Sequence, residues 1–158
     1  LDLTDQKAVE EYFDVHDYDV VIHCAVVGGS RLSLDNGEVI HKNILMFENV
    51  IRVFKGKLLY FSSGAALRGN PPTDPYGLSK WIIDRRIDTL PNAYSLRIWG
   101  CYGHNELPTR FSAVCKREGH VVIDQEKLLL SQWAERFGAT WEITDTSKLG
   151  ERYSFTRK

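Results

Sequence analysis

The chain has 158 residues, 43% hydrophobic and 26% charged, with a formal net charge of −1. This is enough length for a real core, and the composition is that of a soluble globular protein. The near-neutral charge and lack of any basic block give no basis for nucleic-acid or acidic-membrane binding, and no apolar run is long enough to span a bilayer.

The first residues show no signal-peptide pattern. Cys24, Cys101 and Cys115 are scattered without a C-x-x-C. They suggest neither a disulfide framework nor a zinc site, and they fit a reducing cytoplasm. The five histidines, His16, His23, His41, His104 and His120, have no metal-ligand spacing, so no metal is expected.

In chain order, Leu1-Asp2-Leu3 reads as the end of a strand running into a helix. Thr4 is the expected N-cap, and Val9, Tyr12 and Phe13 supply the apolar face. Tyr18 to Val27 is a continuous apolar strand of the kind buried on both faces of a parallel sheet. It ends in Gly28-Gly29-Ser30, where backbone can approach a ligand closely. A polar loop from Arg31 to Gly37 leads to a helix whose stripe is Ile40, Ile44, Phe47, Ile51 and Phe54. Asn43 lies beside that stripe, either as a half-exposed helix residue or as a polar group supporting nearby backbone. Gly56 is placed to close this helix in the left-handed conformation.

The stretch from Lys57 to Lys80 carries the chemistry. A buried strand, Leu58 to Phe61, stops at Ser62-Ser63-Gly64. A loop with Asn70-Pro71-Pro72 and Asp74-Pro75 follows, stiffened by its prolines. The next helix opens on Tyr76-Gly-Leu-Ser-Lys80. Tyr76 and Lys80 are four apart, hence on one helix face. An ammonium there favours the phenolate, and Ser63 at the strand end can hold a reacting oxygen against it. Ile83, Ile87 and Leu90 continue the packed side, and Pro91-Asn92 ends the helix. Ala93 to Trp99 is a further strand. The order β-α-β-α-β-α-β with short connections predicts a doubly wound parallel α/β sheet, with ligands at the carboxyl ends of its strands.

Six segments in register, LDLTD, DVVIHCAVVGG, KNILMFENVI, LLYFSSGA, DPYGLSK and LRIWGCYG, resemble the extended short-chain dehydrogenase/reductases, specifically the NAD-dependent epimerase/dehydratase family acting mostly on nucleotide sugars. The resemblance runs from residue 1 to about 103, and TRFSAVCKREGHVVID extends it to about 124. It implies a Rossmann-like domain over 1–108 and a substrate-side α/β extension over 109–158, poorly matched after 125. By resemblance, Asp2 and Leu3 contact the adenine of NAD or NADP. Cys24, Ala25 and Val26 line its ribose and pyrophosphate, and Asn43 buttresses that loop. Ser63, Tyr76 and Lys80 form the catalytic triad, Lys80 also meeting the nicotinamide ribose.

Gly100 stands where many members have a substrate-contacting asparagine. His104 and Arg110 are further substrate-side candidates. The family's first two strands and their G-x-G-x-x-G turn have no counterpart here, so the expected sheet is incomplete and the chain reads as a fragment or a degenerate member.

Beyond Glu126, EKLLLSQWAERFG predicts an amphipathic packing helix with Leu129, Leu130, Trp133 and Phe137 near one face. Thr140 to Thr144 predicts a strand, and Lys148 to Lys158 a charged tail. The function implied is hydride transfer at a sugar carbon of a nucleotide sugar, by epimerisation, dehydration or reduction, with a homodimer compatible. The alternatives are a non-catalytic nucleotide- or protein-binding remnant and a reductase of a non-sugar carbonyl.

Overall fold

The computed structural model describes residues 1–30, 34–124, 129–144 and 153–154. The chain divides into two compact units, Leu1–Trp99 and Gly100–Lys158. The first contains α1 (Gln6–Val15), β1 (Val20–His23), α2 (Gly37–Val53), β2 (Lys57–Ser63), a 3-10 turn (Gly64–Leu67), α3 (Pro75–Ile87) and β3 (Ala93–Ile98). The three strands form one parallel sheet in the order β1-β2-β3.

Several expected boundaries move. Asp5 rather than Thr4 caps α1, accepting from the Ala8 N–H at 3.1 Å, because the Thr4 hydroxyl donates instead to the Asp2 carboxylate at 2.8 Å. Leu1-Asp2-Leu3 is not a strand; the Leu3 carbonyl accepts from Asn49 of α2 at 2.9 Å. On α2 the fully buried residues are Val39, Asn43, Met46, Phe47, Asn49 and Val50, so the helix is turned from its predicted stripe. The turn follows from the two asparagines, whose buried amides need backbone partners. Gly56 does not adopt a positive φ. Its role is close approach, since a Cβ there would lie 2.5 Å from the Phe54 ring and 2.7 Å from the Asp19 carbonyl.

Residues paired across a parallel ladder share a face, and alternate residues face oppositely. One face carries Val21, Leu58, Tyr60 and Ala93, and it meets Val9 of α1, Phe47 and Val50 of α2, and Ile83 and Ile87 of α3. The opposite face carries Val20, Ile22, Leu59, Phe61, Tyr94 and Leu96. There Val20, Ile22, Tyr94 and Leu96 are exposed at 46%, 57%, 48% and 43%. β1 was expected to be buried on both faces. Among the described residues only one face is covered, and the strand is four residues long rather than ten.

The second unit contains α4 (Phe111–Glu118), β4 (His120–Asp124), α5 (Leu129–Arg136), β5 (Thr140–Thr144) and β6 (Tyr153–Ser154). Its sheet has the order β5-β4-β6, with β4 parallel to β5 and antiparallel to β6. Val114, Cys115, Val121, Ile123, Ala134 and Ala139 form its core. Ala134 faces that core, whereas Trp133, expected to pack there, is 46% exposed. Of the predicted charged tail, residues 148–152 and 155–158 lie outside the described residues, as do 31–33 of the polar loop and 126–128 of the predicted helix.

α3 is clamped to the first sheet by Asp84, only 4% exposed. Its carboxylate accepts from Ser62 of β2 at 2.8 Å, and from Ser95 and Arg97 of β3 at 2.6 and 2.9 Å. Ser62 and Arg97 are ladder partners, so one side chain gathers two strands under the helix. Asp84→Ala strands the Arg97 guanidinium and two hydroxyls without an acceptor. The expected loss is about 3 kcal/mol, measurable by urea unfolding; a loss below about 1 kcal/mol would reject the clamp.

Candidate active site

Asp74 and Pro75 start α3 where the sequence places Tyr76. The Asp74 carboxylate accepts from the Gly77 N–H at 2.8 Å, and Pro75 occupies the first turn, where its missing N–H costs nothing. Tyr76 is therefore fixed in the first helical turn, half-buried, with Lys80 one turn on.

Lys80 is 3% exposed. Its Nζ donates to the Phe61 carbonyl of β2 at 2.7 Å and lies 4.4 Å from the Tyr60 ring centroid and 5.7 Å from that of Tyr76. No carboxylate is within ion-pair distance of it among the described residues. Burial pushes its pKa down to about 8, against the opposing pull of Asp84 and Cys24. A cation over an aromatic face gains attraction from the ring quadrupole, which helps to hold this charge below the surface. Tyr60 beneath it is buried against His23 and Phe47, with its phenol pKa driven up by desolvation.

The loop after β1 is built into the same site. Asn43 is 2% exposed, so of its two readings the buried, supporting one holds. It accepts from the Val27 N–H at 2.8 Å, and its amide donates to the Val27 carbonyl and to the Ser79 hydroxyl, both at 3.0 Å. Ser79 donates in turn to the Tyr76 carbonyl at 2.8 Å. Loop, α2 and the first turn of α3 are thus joined through one amide. Gly29 then lies flat on the Tyr76 ring: a Cβ there would be 2.8 to 3.0 Å from three ring carbons, and its φ is +72°. Neither Ser79, Tyr60 nor this packing was anticipated from the sequence. Only Ser79, three residues after Tyr76 on a helix, left a signal, because a serine there can bond back to the preceding turn.

Ser63 ends β2 half-buried, and its Oγ accepts from the Ala65 N–H at 3.2 Å, which leaves its own proton to donate. By strand alternation it shares the face of Phe61, opposite to Ser62 and Tyr60. No hydrogen bond joins it to Tyr76 among the described residues. Asp2 is exposed, with the Thr4 N–H and hydroxyl holding its carboxyl below the ordinary range. Leu3 packs at the margin of the core. Cys24 and Val26 are exposed and Ala25 half-buried, all just past β1. Gly100, His104 and Arg110 belong to the second unit and are exposed; Arg110 precedes α4 without a side-chain cap bond.

These residues fit one end of a nicotinamide dinucleotide. An ammonium carries three N–H donors, and Lys80 commits one to Phe61, leaving two uncommitted among the described residues beside the Tyr76 ring. The pyrophosphate end is not supplied by the glycines described: the Gly29 N–H is taken by the Asp35 carboxylate at 2.9 Å.

The Lys80 amine has a pKa of about 8 when folded and an ordinary value of 10.5 when unfolded. Between these values the unfolded chain holds more protons, so stability rises with pH across that window. The stability difference between wild type and Lys80→Met should therefore shift towards the wild type from pH 8 to 10.5, measured by denaturant unfolding. A constant difference would mean that the lysine is not perturbed.

The comparisons with known proteins bear on the family and the fold. Residues 1–115 match the NAD dependent epimerase/dehydratase family. The chain is 32% identical over 126 residues to a mouse UDP-glucose 4-epimerase, covering 65% of this chain and 36% of that protein. It is 28% identical over 171 residues to a putative UDP-glucose 4-epimerase of Methanocaldococcus jannaschii, covering 92% and 53%. The chain thus spans about a third to a half of the length of these curated relatives. Two solved structures share the fold. Pen from Bacillus thuringiensis has a TM-score of 0.61 at 17% identity, over 98% of this chain and 65% of that one. The UDP-Glc/GlcNAc 4-epimerase from Campylobacter jejuni has 0.55 at 13% identity, over 92% and 61%. A parallel α/β sheet with Tyr76 and Lys80 on the helix beside its strand ends, together with the match over residues 1–115, places this chain in the NAD-dependent epimerase/dehydratase family.

Proposed function

We propose that the protein is a nucleotide-sugar epimerase that uses NAD, acting at a sugar carbon through Tyr76 and Lys80. The observation that carries this reading is the buried Lys80 ammonium, held by the Phe61 carbonyl and the Tyr60 ring instead of a carboxylate, one helical turn from Tyr76. A charge kept so is costly, and it makes sense where negative charge develops beside it. The relatives named UDP-glucose 4-epimerases supply the substrate class.

Oxidation of a sugar CH–OH to a ketone removes a proton from oxygen and a hydride from carbon. Tyr76, as phenolate, takes the proton, and as phenol returns it when the ketone is reduced. The Lys80 ammonium stabilises the phenolate and donates to the ribose of the dinucleotide. Ser63, with its proton free to donate, orients the reacting oxygen. A nicotinamide held beside these residues would supply the acceptor and donor of the hydride. Asn43 and Ser79 keep the cofactor-side loop and the Tyr76 backbone in one arrangement. Reduction of the ketone from its opposite face would give the epimer. A cytoplasmic location and a homodimeric assembly belong to the same reading.

Tyr76→Phe keeps the ring that Gly29 lies on and removes only the hydroxyl. In the full-length protein it should lower kcat by about 100- to 10,000-fold with dinucleotide affinity within about fivefold of the parent, since one hydrogen bond is worth about 1 kcal/mol. Epimer formation from UDP-glucose, followed by chromatography, measures the first quantity and a binding titration the second. Parental turnover would remove the mechanism. Ser63→Ala is expected to cost about 100-fold in kcat; a change within threefold would show that Tyr76 and Lys80 work without it.

A further inference from the structure

We propose that Asp35 is a positioning residue for Tyr76, holding the Gly28–Gly29 turn as a strap against the phenol ring. The inference rests on Tyr76 being the proton-exchanging group and adds what sets its place. The Asp35 carboxylate accepts the Gly29 N–H with both oxygens, at 2.9 and 3.2 Å. Gly28 and Gly29 have φ of +81° and +72°, two successive left-handed residues that side-chain-bearing residues rarely adopt.

The strap is tight on both sides. A Cβ on Gly28 would lie 2.7 Å from Asp35 Oδ1 and 2.7 Å from Val39 Cγ1, and one on Gly29 would lie 2.8 Å from the nearest Tyr76 ring carbon. Asp35 and Val39 therefore back the turn, and the turn backs the ring. Its other end is fixed by Asn43 at Val27.

No hydrogen bond reaches the Tyr76 hydroxyl among the described residues, so packing decides where that oxygen stands. Backbone N–H groups exposed in a turn can hold an anion, and the Gly29 N–H does so. Here the anion is the chain's own Asp35, which keeps the turn in shape in the absence of any ligand. Without it, two exposed glycines would be free to leave the ring, because glycine has the widest choice of backbone states.

The test compares Asp35→Ala, Asp35→Asn and Gly29→Ala in the full-length protein with UDP-glucose, with Tyr76→Phe run in parallel. Misplacing a reacting group by about 1 Å can cost ~100-fold, so Asp35→Ala should lower kcat by about 10- to 100-fold while KM stays within about threefold. Asp35→Asn keeps one acceptor oxygen and should recover most of that loss. Gly29→Ala should fall as far as Asp35→Ala, because its Cβ displaces the ring. Parental kcat in Asp35→Ala or in Gly29→Ala overturns the inference, as does an Asp35→Asn variant no better than the alanine one. If Asp35→Ala does not fold, Asp35→Asn and Gly29→Ala decide, with near-parental kcat required of the first and loss of the second. Activity retained by Tyr76→Phe would instead sink the proposed function itself.

Discussion

The first unit depends on an ammonium kept out of water. Lys80 is almost fully buried, and its Nζ meets a carbonyl and an aromatic face, with a second ring 5.7 Å from it. An ion pair would compensate the charge of a buried lysine directly, but on the proposed mechanism it would neutralise the field that stabilises a phenolate. The solution here keeps the cation unpaired and puts the nearest buried carboxylate, Asp84, to work on Ser62, Ser95 and Arg97. Asp84 still raises the affinity of Lys80 for its proton from a distance. Anchoring of α3 and electrostatic support of the amine are thus supplied by one residue through different ranges.

A second constraint is that Tyr76 must not wander. Its backbone is reached from Asn43 through Ser79, and its ring is touched by the loop that Asn43 also fixes. α2, α3 and the loop after β1 therefore share a single amide as their junction. Interiors packed to this density transmit small displacements instead of absorbing them, so the geometry at the phenol is coupled to the loop expected to border a dinucleotide.

Much of this was legible in the sequence, for identifiable reasons. The Tyr76–Lys80 relation follows from helical spacing alone, and Asp74-Pro75 marks the helix start by capping chemistry. The apolar strands announce the parallel sheet. What escaped was whatever depends on contacts between distant segments. The stripe of α2 was misplaced because hydrophobic periodicity takes no account of Asn43 and Asn49, whose amide N–H groups donate to the Val27 and Leu3 carbonyls. Gly56 looked like a helix stop and is instead a gap for the Phe54 ring. Thr4 lost its capping role to Asp5 because its hydroxyl found Asp2. Tyr60 read as one more strand aromatic, and only the fold shows it under a lysine nineteen residues further along than its neighbour Phe61.

The uncovered side of the three-stranded sheet sets how this polypeptide behaves as a solute. Val20, Ile22, Tyr94 and Leu96 stand in water there, beside half-buried Leu59 and Phe61. A contiguous apolar expanse of that kind drives self-association, and a formal charge of −1 offers little colloidal repulsion against it. For the chain handled by itself, that plane is the surface on which a dye, a detergent or another polypeptide would settle.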